Sequence, residues 1–88
     1  MVRISRARAL PRYRLELWFT DGSSGIVDLS DMVGKGVFAA WNDPDEFAKV
    51  VVNPRTRTVE WPGGIDLDPD VLYRDATGRE LPESDAAA

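Results

Sequence analysis

The stretch "RYRLELWFTDG" constrains the fold more than any other part of this chain. Tyr13, Leu15, Leu17 and Phe19 recur at every second position, with Arg12, Arg14, Glu16, Trp18 and Thr20 between them. Successive side chains of a strand point to opposite faces, so this period of two predicts a half-buried strand. Upstream, "VRISRARAL" is compatible with a strand though less regular, and "LPR" offers a turn in which Pro11 limits pairing. Downstream, "DGSSG" supplies turn chemistry and "IVDL" resumes an extended pattern. Residues 2–29 therefore read as a three-stranded antiparallel meander.

The middle of the chain changes grammar. Ser30 or Asp31 is expected to cap a short turn around "DMVGKG", which Gly34 and Gly36 stop quickly, and "VFAAW" suits another turn. In "NDPDEFAKV", Asp43 at N-cap, Pro44 at N1 and Glu46 at N3 match a capping box, with acids at the positive end of the helix dipole. Phe47 and Val50 are then expected to face inward. A second hairpin follows over residues 50 or 51 to 61, turning at residues 53–57. Pro62 and the glycines after it end that strand, because proline cannot donate to a ladder and glycine accepts positive φ. "IDL" reads as short and extended. Asp68-Pro69-Asp70 repeats the cap-proline-acid order of Asp43-Pro44-Asp45 and starts the helical turn "PDVLYRD", with Val71, Leu72 and Tyr73 docking it on the sheet.

The expected fold class is α+β: a small antiparallel sheet of about five strands, formed by the meander and the second hairpin, with two or three short helices. Residues 1–76 form one domain, since 88 residues leave no room for a second core. Residues 77–88 read as a polar, frayed tail.

Composition excludes several chemistries. The chain has no cysteine and no histidine. That removes disulfides, thiolate zinc sites, a thiol nucleophile and the commonest general base. No apolar run approaches the roughly 20 residues of a membrane helix, and "MVRISRARAL" lacks the apolar segment of a signal peptide, so a cytoplasmic location is expected. The net charge of −4 hides an asymmetry: Arg3, Arg6, Arg8, Arg12 and Arg14 stand without an acid in residues 1–14, while the remainder is strongly acidic. Either the basic end meets an acidic or polyanionic partner, or the two halves pair within the fold; internal pairing is the favoured reading.

The ordered set "YRLELWFTDG", "VDLSDMV", Phe38, "DEFAKVVVN" and "TVEWPGGIDLDPDVLY" resembles the bacterial family known as domain of unknown function 2442. The likeness runs from about Tyr13 to Tyr73. Its most specific pieces are Phe19, Asp21 and Gly22 at the strand end, and the closing run of residues 61–73. The resemblance implies a small α+β domain similar to one found ahead of a helix-turn-helix domain in some proteins, or standing alone beside a second short gene in others. It thereby implies a partner-binding or antitoxin-like role, and it brings no catalytic residue. This chain ends soon after Tyr73, which weakens a DNA-binding expectation.

The candidate residues each have a bland alternative. Asp66, Asp68 and Asp70 begin like a calcium loop, but Pro69 interrupts it, Val71 occupies the glycine position and Thr77 the bidentate glutamate position. Capping accounts for Asp68 and Asp70, and Asp66 is expected to tie down donors around Gly63 and Gly64. No metal or cofactor is expected. Glu60 with Asp66 could serve acid–base work, yet no nucleophile stands at a recognised spacing, so no enzyme is expected. Arg12 and Arg14, sharing the wet face of their strand with Trp18, would form a basic and aromatic stripe able to meet phosphates or bases. The alternative is cross-strand pairing with Glu16, Glu60 or another acid. Trp18, Trp41 and Trp61 suit a core, each burying on the order of 200 Å², or about 5 kcal/mol before entropic cost. Trp18, on the polar register, is expected to be exposed unless a helix or another chain covers it, which favours an interface. The surfaces singled out for binding are thus Arg12, Arg14, Trp18, Trp61 and Asp66. The expected function is non-enzymatic: a protein-interaction or self-associating domain, the regulatory or antitoxin-like partner of a neighbouring gene product, with an open edge strand as a further rail. The alternative is a nucleic-acid-binding accessory protein using the arginine face. No membrane partner or small-molecule substrate is expected.

Overall fold

A computed structural model of the chain describes residues 2–78. Strands β1 (Ile4–Leu10), β2 (Arg14–Phe19) and β3 (Ser24–Asp28) form an antiparallel meander in the order β1-β2-β3. Alternation in β2 works as expected for Leu15, Leu17 and Phe19, which are buried, while Arg14, Glu16 and Trp18 take the other face. Their partners fill the buried side: Ala7 lies opposite Leu17, and Ala9 and Val27 opposite Leu15. Tyr13 departs from the expected strand. The strand begins only at Arg14, because Arg12 and Tyr13 both take left-handed backbone, φ 65° and 61°, and turn the chain rather than extend it.

Two 3-10 segments, Ser30–Met32 and Gly36–Asn42, follow. Neither Ser30 nor Asp31 caps the first. The carboxylate of Asp28, at the end of β3, accepts the Ser30 backbone N–H at 2.9 Å and starts the turn from two residues upstream. Helix α1 (Pro44–Phe47) is capped by Asp43, whose carboxylate accepts the Asp45 N–H at 3.0 Å. The capping box stays half made. Glu46 accepts from Lys49 Nζ at 2.7 Å, and the Asp43 N–H donates to the Ala40 carbonyl instead.

A second antiparallel sheet, in the order β4-β5-β6, consists of β4 (Val51–Val52), β5 (Val59–Trp61) and β6 (Ile65–Asp66). The extended "IDL" is therefore a strand in its own right, so the sheets hold six strands rather than about five. Asn53 organises the β4–β5 turn by accepting the N–H groups of Arg55 and Thr56 on its Oδ1. The Pro62-Gly63-Gly64 turn works as expected, both glycines having positive φ. Helix α2 (Pro69–Thr77) starts where Asp68 accepts the Asp70 N–H at 2.9 Å, and ends on left-handed Gly78. It is longer than the turn expected from sequence and runs through Thr77; residues 79–88 lie outside the described residues. Leu72 and Tyr73 dock it, whereas Val71 is 43% exposed.

The two sheets share one core. The Ile4 N–H donates to the Arg57 carbonyl at 3.0 Å, joining β1 to the second hairpin. Between the sheets Trp41, Phe47 and Trp61 pack with ring centroids 4.7–5.9 Å apart, and Phe38 and Tyr13 close the cluster. Trp61 donates its indole N–H to the Phe47 carbonyl at 2.8 Å. The buried Trp41 N–H has no partner among the described residues. Helix α2 lies on the core side of β3, where Gly25 admits it: a Cβ there would stand 2.1 Å from the Ala76 carbonyl oxygen.

Candidate interaction surface

The outer face of the meander is built by period two in three strands at once. Reading across the register, it presents three rows: Arg6, Trp18 and Ser24; Arg8, Glu16 and Ile26; Leu10, Arg14 and Asp28. Among the described residues, helix and loop pack on the other face of this sheet. Ile26 is 49% exposed as a result. The Arg6 guanidinium lies over the Trp18 ring, 4.7 Å from its centroid, so Trp18 is half-buried by a neighbouring cation rather than by a helix. Stacking of this kind covers the ring face with a flat group that keeps its own N–H donors available.

Charges on this face are partly paired, as the internal-pairing reading expects. Arg8 meets Glu16 at 2.7 Å. Arg14 sits opposite Asp28 and donates from Nε to the Pro11 carbonyl at 3.4 Å. Asp28 is held below the ordinary carboxylate range, chiefly by hydrogen bonds from the Ser30 hydroxyl and backbone N–H, with a smaller contribution from the Arg14 charge. Among the described residues Glu60 pairs with no arginine; it accepts from Asn53 Nδ2 at 2.7 Å.

The five residues singled out from sequence do not form one site. Arg14 and Trp18 share the outer face. Arg12 does not, because its left-handed turn moves it to the rim of a separate cleft with Tyr13, Pro44 and Phe47. Trp61 is buried in the aromatic cluster, with its N–H committed to Phe47. Asp66 is exposed on β6 in the other sheet, and its carboxylate accepts no hydrogen bond from Gly63 or Gly64. Among the described residues no group of three or more His, Cys, Asp or Glu could hold a metal ion, and no helix is long and apolar enough to cross a membrane. Arg6, Arg8 and Ile26 complete the face and were not singled out. The alternation of Arg6 and Arg8 with Ala7 and Ala9 was their signal in β1, and the β1–β2–β3 register, which brings Ile26 into the same row, has no local signal.

The motif pieces that carry the family resemblance meet in space. Tyr73 donates its hydroxyl to Asp21 at 2.7 Å, and its ring packs edge-on against Phe19, so the "F-x-D-G" corner and the closing run of residues 61–73 clamp each other. A family model described as a protein of unknown function, DUF2442, matches residues 4–78. The chain belongs to this family. Among solved structures, the DUF2442 domain is similar to NE0471 of Nitrosomonas europaea, described as a "putative DNA binding protein", at 28% identity and a TM-score of 0.75. That likeness covers 89% of this chain and 50% of the Nitrosomonas protein, so the chain spans half the length of its structural relative. No curated protein matches the chain.

Proposed function

We propose that this DUF2442 domain is a non-enzymatic protein-binding module. Its binding surface is the outer face of the meander, centred on Arg6, Trp18 and Ile26. The observation that carries this reading is the exposed Ile26 beside an arginine-stacked tryptophan on the face of the first sheet opposite the core, among the described residues. Tryptophan and arginine are the residues most enriched where binding energy concentrates, and an apolar centre with a charged rim is how such surfaces are built. The arginines favour a partner with acids at its rim, such as the product of a neighbouring gene; a second copy of this chain is the other occupant to test.

Affinity capture with variants tests the proposal. Trp18→Ala and Ile26→Asp are expected to lose the captured partner, Trp18→Ala by about 30-fold in Kd, the effect of a 2 kcal/mol hot spot. Asp66→Asn should retain it. Capture unaffected by both outer-face variants would contradict the reading. Light scattering across a concentration series separates self-association from a foreign partner.

The likeness to NE0471 favours a second reading, nucleic-acid binding by the same arginines. Lengths and charges count against it: the match spans half of that protein, the arginines face Glu16 and Asp28, and the chain is acidic overall. Binding to duplex DNA that collapses with added salt and with Arg6→Ala and Arg14→Ala would favour this reading over the first.

A further inference from the structure

Beyond the outer meander face lies a surface of opposite character, on the side where α2 packs. Leu29 and Met32, from the end of the meander and the 3-10 turn after it, form one wall of a groove of about 250 Å³. Leu67, Val71 and Leu72 form the other. Of these, Leu29 and Leu72 are buried, whereas Val71 is 43% exposed. A β-branched residue left half in water on a helix whose neighbours Leu72 and Tyr73 are buried marks surface that the fold itself does not use.

The rim carries charge of one sign. Among the described residues, the charged side chains that line the groove are Asp68 and Asp75. They stand seven residues apart, about two turns or roughly 10 Å along α2 at 1.5 Å per residue. Asp68 spends one carboxylate oxygen, Oδ1, on the helix cap, which leaves the other oxygen available. Asp75 is exposed and has no ion pair among the described residues. Met32 adds an unbranched, adaptable wall of the sort that accommodates an inserted side chain.

We propose that this groove docks a short helical segment of a partner protein, one that offers a single large aliphatic side chain between two lysines or arginines about two turns apart. Charge complementarity specifies this occupant. An apolar lining selects the anchor, and paired carboxylates two turns apart match cations at the same spacing on an antiparallel or parallel helix. An acidic or nucleic-acid partner is disfavoured by the same rim. The groove and the outer meander face lie on opposite sides of the first sheet, so this proposal stands independently of the function proposed above.

Two synthetic helical peptides test it on the intact chain: one with a central leucine flanked by lysines seven residues apart, the other identical with glutamates for the lysines. Methyl NMR of Val71, Met32 and Leu67 reads binding. The lysine peptide is expected to shift these methyls saturably and to weaken with added salt. Asp68→Asn with Asp75→Asn should weaken it about tenfold, the combined effect of two exposed ion pairs. Asparagine still caps a helix, so that variant should keep its wild-type melting temperature. Val71→Asp places a further charge in the groove and should abolish insertion. Equal binding of the glutamate peptide, unchanged affinity in the double asparagine variant, shifts outside the groove, or no saturable binding would each overturn the proposal.

Discussion

Arg12 and Tyr13 hold consecutive left-handed backbone without glycine, and Arg57 is a single left-handed residue in the second hairpin. Such a conformation costs an L-residue about 1–2 kcal/mol, and a β-branched side chain tolerates it least. Arg12 already bears that cost, so Arg12→Val is expected to lower stability by the added crowding of a β-branched side chain, on the order of 1 kcal/mol in urea melts, while Arg12→Gly stays within a few tenths of a kcal/mol of wild type, strain relief being offset by unfolded-state entropy. A harmless valine would show that the turn is not left-handed in solution. Gly25 is constrained by space rather than by φ. With a Cβ placed 2.1 Å from the Ala76 carbonyl oxygen, Gly25→Ala must push α2 off the sheet and should cost about 1–3 kcal/mol, checked by chemical denaturation. None of this was legible in the residues. Nothing in "LPRYR" signals positive φ, and the need for glycine in β3 comes from a helix fifty residues later in the chain.

At the scale of elements, the proline-preceded aspartates were legible because an N-cap is a local device. Asp43 and Asp68 both accept the N–H two residues ahead, as "DPD" announces. Asp68→Ala should cost about 1 kcal/mol and fray the first turn of α2, measurable as lost amide protection at Asp70 and Val71. The turn after β3 forms where the sequence put it, but neither Ser30 nor Asp31 caps it; the Ser30 N–H goes to Asp28, a residue that the alternating pattern assigns to the strand. Asp28 makes a pH prediction. Its pKa is lowered in the fold, so its stabilising contribution is present above the ordinary carboxylate pKa, about 3.9, and is lost as pH falls through the lower folded value. Asp28→Asn keeps an acceptor for Ser30 but no charge. Its stability deficit should be constant from about pH 5 to 7 and shrink below about pH 4; a deficit independent of pH would show that charge plays no part. "IDL" reads as extended, but its place as a sixth strand is not legible: two residues are too few to show a period, and only pairing with β5 defines them.

For the whole molecule, the asymmetry of charge becomes an asymmetry of surfaces. The basic N-terminal strands turn Arg6, Arg8 and Arg14 outward, and acids from both the meander and the C-terminal half distribute between helix caps, cross-strand partners and the rim of the α2 groove. Sequence could say that basic and acidic halves must be neighbours in so short a chain. It could not say that Arg6 would lie on Trp18, since that contact depends on the β1–β2 register, nor that Arg12 would leave the stripe. Trp61 shows the same limit, because an aromatic at a strand end is equally suited to an interface and to a core until Phe47 takes its N–H. The fold-level reading succeeded where periodicity and caps are local. The site-level reading fell short where long-range register decides which side chains meet.

The central claim is that the outer meander face receives a protein partner. Amide and indole NMR spectra of the labelled domain, titrated with its captured partner, test it most directly. The account predicts the largest shifts at Arg6, Arg8, Ile26 and the indole N–H of Trp18, with the Gly63–Asp66 turn unmoved. Shifts concentrated at that turn, with the Trp18 indole unchanged, would contradict it.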